Sequence, residues 1–122
     1  MEIRRNQIYV VNLPFTDNSI TRGNRPCIVV SNNMNNIHSP VIQVIPLTTS
    51  AKKKLPTHYD MIINGESCTA LCENIISVDY SNFGKYLGEL TPHQVSRIDK
   101  RLKIQLNLKD KEDDYFVDPR FQ

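Results

Sequence analysis

The sequence predicts a mainly β protein with a C-terminal α-helix, folded as a small, strongly bent antiparallel sheet or open barrel. Short runs of β-branched and aromatic residues recur along the chain between turn-forming segments, which is typical of antiparallel strands. One helical repeat of apolar residues follows them near the C-terminus. The chain has 122 residues, a length that suits one domain with its own core.

Apolar runs separated by turn signals predict the strands. Asn64-Gly65 is a strong hairpin-turn signal, and the four asparagines and the proline of residues 32–40 predict a turn-rich connection. We expect one bent strand from the two runs on either side of Glu73-Asn74. The predicted strands cover residues 8–11, 27–31, 41–47, 59–63, 69–72 with 75–78, and 87–90.

The C-terminal helix has a well-defined predicted start. Thr91 is the expected N-cap, Pro92 suits the first helical position, and Gln94 completes a capping box. Apolar residues then follow at helical spacing and form one stripe: Val95, Ile98, Leu102 and Leu106. We expect the helix to end near Leu108.

Charge divides the chain into a basic body and an acidic tail. The net charge is +2, and basic residues concentrate in the first half. We therefore assign residues 1–108 to the folded domain and residues 109–122 to an acidic, solvated tail. A basic body suits a polyanionic partner, although a solvated surface without a partner explains the charge equally well. Neither a membrane span nor a signal peptide is apparent, so we expect a cytoplasmic protein.

The three cysteines predict neither a disulfide framework nor a metal site. Cys27 and Cys72 lie in apolar runs and have the pattern of small core residues. An odd number of cysteines argues against paired disulfides. A zinc site built on Cys68 and Cys72 would need two more ligands, and no histidine pair has the required spacing. We expect no metal and no cofactor.

The most informative pattern is an arginine before one strand and hydroxyls after the next. Arg25 precedes the second strand, and the third strand ends in Thr48-Thr49-Ser50. If these strands pair antiparallel, the guanidinium and the hydroxyls become neighbours. Arginine offers a rigid fork of donors that matches phosphate oxygens. The sequence therefore predicts a phosphate clamp, although a surface arginine before a strand is the favoured explanation of Arg25 taken alone.

These residues, in this order and spacing, resemble the MazF/PemK family of toxin endoribonucleases. The resemblance covers about residues 6–108. Arg25-Pro26 before an apolar strand is a weak signal alone, and it becomes strong when followed by the Thr48-Thr49 strand end and by residues 55–58, which read Leu-Pro-Thr-His. Many relatives carry a Ser-Glu-Gln run before the arginine, where this chain reads Ser19-Ile20-Thr21. A function that needs that carboxylate is therefore in question.

The resemblance implies an SH3-like barrel of the CcdB/Kid/MazF type, usually a homodimer. It implies metal-independent cleavage of single-stranded RNA (mRNA) at a short sequence, and a cognate MazE-like antitoxin. The catalytic residues implied are Arg25 and Thr48. Attack of the ribose 2′-OH on its own phosphate would leave a 2′,3′-cyclic phosphate and a 5′-OH end. RNA supplies its own nucleophile, so the protein mainly aligns it and stabilises charge.

Further residues near this pattern are candidates for RNA contact, each with a structural alternative. Phe15 either stacks on a base or closes over the core. The lysines either steer phosphate or belong to a solvated loop. Glu73 and Asn74 are either base readers or a bulge. The full set of RNA-binding candidates is Phe15, Asn18, Ser19, Thr49, Ser50, Lys52, Lys53, Glu73 and Asn74.

Two other functional interpretations remain open from the sequence. Related toxins of the CcdB type bind and poison DNA gyrase without cleaving anything, and fold alone does not separate them from ribonucleases. The tail mixes acids with aromatics, so it either mimics RNA and inhibits the domain or simply increases solubility. The Arg25/Thr48 pair favours cleavage, because a gyrase binder needs no phosphate clamp.

Overall fold

A computed structural model describes residues 2–14, 23–49, 51 and 53–109 of the chain. Phe15, Asn18, Ser19, Ser50 and Lys52 lie outside the described residues, as does the tail beyond Lys109. The described residues form seven strands and two α-helices. The strands are β1 Gln7–Leu13, β2 Gly23–Val29, β3 Val41–Thr48, β4 His58–Ile63, β5 Glu66–Leu71, β6 Ile76–Asp79 and β7 Phe83–Glu89, and the helices are α1 Asn33–His38 and α2 Pro92–Leu106.

The strands form one curled antiparallel sheet with the order β4-β5-β3-β2-β1-β7. Strand β3 is central, because its first half pairs with β6 and its last two residues pair with β5, while β2 lies along its other side. Register shifts in the β1–β7 ladder mark irregularities that increase local twist. The predicted fold class, mainly β with a C-terminal helix, is confirmed.

Alternating side chains of the same strands build two apolar clusters on opposite faces of the sheet. Ile8, Ile28 and Ile45 belong to one cluster, which Ile98 and Leu102 of α2 cover. Tyr9 and Val44, on neighbouring positions of the same strands, belong to the other. The stripe predicted for α2 is therefore confirmed at its centre, while Leu106 is exposed.

The predicted boundaries of α2 are confirmed at the N-terminus. Thr91 accepts from the Gln94 backbone and the Gln94 side chain accepts from the Thr91 N–H, which completes the capping box. The helix ends at Leu106, and Asn107 takes a left-handed conformation. Asparagine tolerates that conformation at helix ends better than most residues. Arg101 ties the helix to β4 by donating to the His58 carbonyl at 2.8 Å.

Three expectations from the sequence are wrong in detail. The turn expected over residues 32–40 contains the short helix α1, because Asn32 caps it and Asn36 is buried against Ser31. The single bent strand expected after Thr69 is two strands, β5 and β6, separated by a turn that redirects the chain. Strand β2 begins at Gly23 rather than Cys27, because it continues its ladder with β1 as far as Leu13.

Candidate phosphate-binding site

Arg25 and Thr48 come together at one end of the central ladder. Strands β2 and β3 pair antiparallel, with Cys27 opposite Pro46. Continuing that register by two residues brings Arg25 to the level of Thr48. Both side chains line one pocket of about 460 Å³. The structure therefore confirms the neighbourhood that the sequence predicts for the arginine and the first hydroxyl of the strand end.

The Arg25 side chain has a buried hydrogen-bond donor. Its Nε–H is buried and, in the part of the chain that the structure describes, donates to no acceptor. An unsatisfied buried donor costs about 1–3 kcal/mol relative to a satisfied one. Arg25 as a residue is half-buried and lines the pocket, so a ligand that approaches it would bring an acceptor to the guanidinium. The site therefore favours an anionic or carbonyl-bearing ligand beside Arg25.

The pocket is mostly apolar, with a few polar groups that converge on it. Thr49, an RNA-binding candidate, lies in its wall beside Thr48. The hairpin of β4 and β5 contributes groups that the sequence patterns did not single out, namely Asn64, Glu66 and Cys68. The remaining lining residues are Pro26, Leu47, Ile63 and Leu87. Such a mixture suits a base or ribose against apolar surface and a phosphate beside the arginine.

A second pocket of about 430 Å³ continues from the first. The two pockets share Thr48, Thr49 and Cys68. The second extends along β4 and β5, where Asp60 and Thr69 lie in its wall. Together they form what we call the strand-end groove, defined by the residues that line these two pockets.

The polar side chains at the groove bond to one another through a hydrogen bond and an ion pair at Asp60. The Thr69 hydroxyl donates to Asp60 Oδ1 at 2.7 Å, and the Lys54 ammonium pairs with Asp60 Oδ2. The Lys54 bond, followed by the Thr69 bond, lowers the pKa of the Asp60 carboxyl. Asp60 is therefore an ionised, fully engaged carboxylate. Lys53, which precedes Lys54 in the sequence, is exposed.

Glu73 and Asn74 lie outside the strand-end groove, in the turn after β5. The Glu73 carboxylate accepts from the Thr57 hydroxyl at 3.0 Å and bonds His58 Nε2 at 2.8 Å. The Leu55 N–H donates to His58 Nδ1, so Nε2 carries the proton. These bonds brace the Leu-Pro-Thr-His segment against the turn. Contact of Glu73 and Asn74 with RNA stays a prediction.

The cysteines differ in their surroundings. Burial raises the pKa of both Cys27 and Cys72 to about 12, and these two thiols are core groups, as predicted. Cys68 is half-buried in the groove, and its pKa is raised by burial and then by the charges of Glu66 and Asp60. All three are free thiols.

The described ranges contain neither a metal-binding cluster nor a membrane-spanning helix. No group of three or more His, Cys, Asp or Glu side chains among these residues is placed to hold a metal ion. No helix among them is both long and apolar enough to cross a membrane.

Comparison with known protein families identifies the chain. Residues 4–106 match the model of the "PemK-like, MazF-like toxin of type II toxin-antitoxin system". The chain belongs to this family of toxins. The match runs from just before β1 to the last residue of α2, so it includes both strands that carry Arg25 and Thr48.

Individual relatives agree with that assignment. The chain is 28% identical over 111 residues to the endoribonuclease MazF of Staphylococcus epidermidis, covering 87% of this chain and 92% of the relative. It is similar to a mycobacterial endoribonuclease solved in complex with its cognate antitoxin, with 28% identity, a TM-score of 0.75, and 89% and 99% of the two chains covered. MazF from Deinococcus radiodurans, at 21% identity and a TM-score of 0.76, covering 88% and 99%, shares the fold.

Proposed function

We propose that this PemK/MazF-family toxin is a sequence-selective endoribonuclease that cleaves single-stranded mRNA without a metal ion. The observation that carries the proposal is that Arg25 and Thr48 line one pocket and that, among the described residues, no acceptor meets the buried Arg25 Nε. An RNA phosphate beside Arg25 would supply the missing acceptor. The similar proteins named as endoribonucleases support the same activity.

The proposed reaction uses the RNA's own 2′-OH as the nucleophile. The 2′-oxygen bonds to phosphorus, the bond from phosphorus to the 5′-oxygen breaks, and a 2′,3′-cyclic phosphate and a 5′-OH end remain. Arg25 stabilises the negative charge that grows on the phosphoryl oxygens, and the Thr48 hydroxyl adds a second donor. Arg25 also donates a hydrogen bond to the leaving 5′-oxygen.

We propose Thr49, Lys53 and the candidates outside the described residues as RNA contacts around this centre. Thr49 lies in the groove wall, where its hydroxyl is available to a phosphate or base. Lys53 is exposed, so it would attract the polyanion from outside the groove. The mRNA substrate places the activity in the cytoplasm.

We also propose a cognate antitoxin as partner and a homodimer as the working form. The mycobacterial relative is solved with its cognate antitoxin, which supports a protein inhibitor for this chain. Sedimentation of the purified chain, alone and with a candidate antitoxin, tests both assemblies. The gyrase-binding alternative has no use for a phosphate clamp, and no feature of the groove favours it.

The direct test is cleavage of a long, mixed-sequence RNA in the presence of EDTA, with both product ends mapped. We expect discrete cuts with 5′-OH ends and cyclic phosphates from the wild type. Arg25→Ala and Thr48→Ala should lose them, while the matched control Arg97→Ala, which removes an exposed arginine from α2, should keep them. Intact RNA with folded wild type would contradict the proposal, and loss of DNA supercoiling by gyrase in its place would favour the alternative.

A further inference from the structure

Asp60 and Glu66 line the strand-end groove, and Glu73 lies in the turn after β5. Two of these three carboxylates have partners at both oxygens. Both oxygens of Asp60 have partners, Thr69 and Lys54. Both oxygens of Glu73 also have partners, Thr57 and His58. A carboxylate whose lone pairs are committed to structural bonds is a poor proton acceptor for a ligand. The third carboxylate, Glu66, differs from both.

Among the residues that the structure describes, Glu66 is the single carboxylate that lines the pocket of Arg25 and Thr48. Within the ranges that the structure describes, its side chain makes no hydrogen bond and no ion pair. The residue is exposed, so its carboxylate is open to water. Glu66 is therefore free to accept a proton from a ligand and to return it to solvent.

The β4–β5 hairpin fixes the position of Glu66. Asn64 and Gly65 have φ values of 51° and 84°, the left-handed pair that a tight two-residue hairpin turn requires. Ile63 then pairs with Glu66. Glu66 and Cys68 are two residues apart on one strand and share a face. Both residues line the pocket of Arg25 and Thr48.

The proposed reaction needs a group that accepts the 2′-OH proton. Arginine cannot accept it, because its pKa exceeds about 12 and almost no neutral form exists near pH 7. A threonine hydroxyl is a still weaker base. The loop that carries a carboxylate in many relatives reads Ser19-Ile20-Thr21 here. The other titratable groups of the pocket lining are Arg25 and Cys68, and burial disfavours the Cys68 thiolate.

We propose that Glu66 is the general base of the cleavage reaction, an inference that rests on the proposed ribonuclease function. The Glu66 carboxylate takes the 2′-OH proton as the bond from the 2′-oxygen to phosphorus forms. The bond from phosphorus to the 5′-oxygen breaks with its electron pair, and that oxygen takes a proton from water while Arg25 donates a hydrogen bond to it. Glu66 then releases its proton to solvent.

If Glu66 is the general base, removing its carboxylate should affect RNA affinity and cleavage rate differently. A negative carboxylate beside a phosphate repels it, so removing the charge should leave RNA affinity unchanged or increase it. Removing a general base should lower the rate of the chemical step by about 10²–10⁴-fold. Substituting a residue that only binds RNA would instead lower the affinity for RNA. Substituting a residue that recognises a base would change the sequence that is cut.

The test compares Glu66→Gln, Glu66→Asp and the matched control Glu89→Gln, which removes an exposed carboxylate from β7 outside the groove. Single-turnover cleavage is measured on an RNA with one mapped cut site between about pH 5 and 9. Affinity is measured for the same oligonucleotide with a 2′-deoxy nucleotide at that site, which cannot react. Circular dichroism confirms that each variant is folded.

We expect Glu66→Gln to lose at least 10²-fold in rate with equal or tighter binding. Glu66→Asp should recover part of the rate, and Glu89→Gln should match the wild type. A Glu66→Gln rate within about threefold of wild type would overturn the inference while leaving the ribonuclease function intact. A retained rate at an altered cut sequence would overturn it too. If the folded wild type does not cleave RNA, both the ribonuclease function and the general-base role of Glu66 are contradicted.

Discussion

Asp60 and Thr69 are direct partners in the β4–β5 ladder, and the Thr69 hydroxyl donates a 2.7 Å hydrogen bond to Asp60 Oδ1. Thr69 is at the same time the ladder partner of Thr48. Three neighbouring strands therefore present a row of polar side chains to the groove. Because Asp60 is held by Thr69 and Lys54, this row is arranged before any ligand binds.

The engaged Asp60 carboxylate predicts a contribution to acid stability. Its pKa in the folded protein is lowered, chiefly by Lys54 and then by Thr69, so the stabilisation is present above the unfolded pKa of about 3.9 and is lost as pH falls through the folded value. Asp60→Asn should therefore show a flatter decline of unfolding free energy below pH 4 than wild type. Urea unfolding across pH 2–7 measures this, and parallel curves would contradict it.

The reactivity of the Cys68 thiol tests whether RNA binds in the strand-end groove. Cys27 and Cys72 are fully buried and, with pKa values raised to about 12, should not react in the native state at pH 8. Cys68 should react slowly, and all three should react after unfolding. A saturating, uncleavable 2′-O-methyl oligonucleotide of the mapped sequence should protect Cys68. Cys68→Ser should abolish the native-state reaction, and an unchanged Cys68 rate with bound oligonucleotide would place the RNA elsewhere.

The capping box of α2 predicts a measurable loss of stability. Thr91→Ala removes the side-chain acceptor for the Gln94 N–H and should lower the unfolding free energy by about 0.5–2 kcal/mol. Thr91→Ser keeps a hydroxyl and should lose far less. Denaturant unfolding of the two variants checks the difference, and equal losses would show that the methyl group, rather than the cap, stabilises the helix.

Local sequence signals predicted the elements that depend on neighbouring residues. The Asn64-Gly65 hairpin turn and the Thr91 cap are set by backbone conformation and bonds within a few residues, and both are confirmed. The Arg25/Thr48 neighbourhood was also predictable, because antiparallel pairing of two consecutive strands fixes it.

The parts that the sequence did not predict depend on distant contacts. Helix α1 is rich in asparagine, a poor helix former, and forms because Asn36 packs and bonds against Ser31. Strands β5 and β6 look like one run, and separate because each finds a different half of β3. Glu66 enters the site only when the hairpin folds over the β2–β3 strand ends, although the Asn64-Gly65 turn was a signal that could have led to it.

The central claim, that Arg25 acts on the scissile phosphate, is tested most directly by chemical rescue. Single-turnover cleavage is measured for Arg25→Ala with and without added guanidinium ion at non-denaturing concentration, with Arg97→Ala as the control. We expect Arg25→Ala to lose about 10²–10³-fold in rate and guanidinium to restore part of it in that variant alone. An Arg25→Ala protein that is folded and cleaves at the wild-type rate would contradict the account.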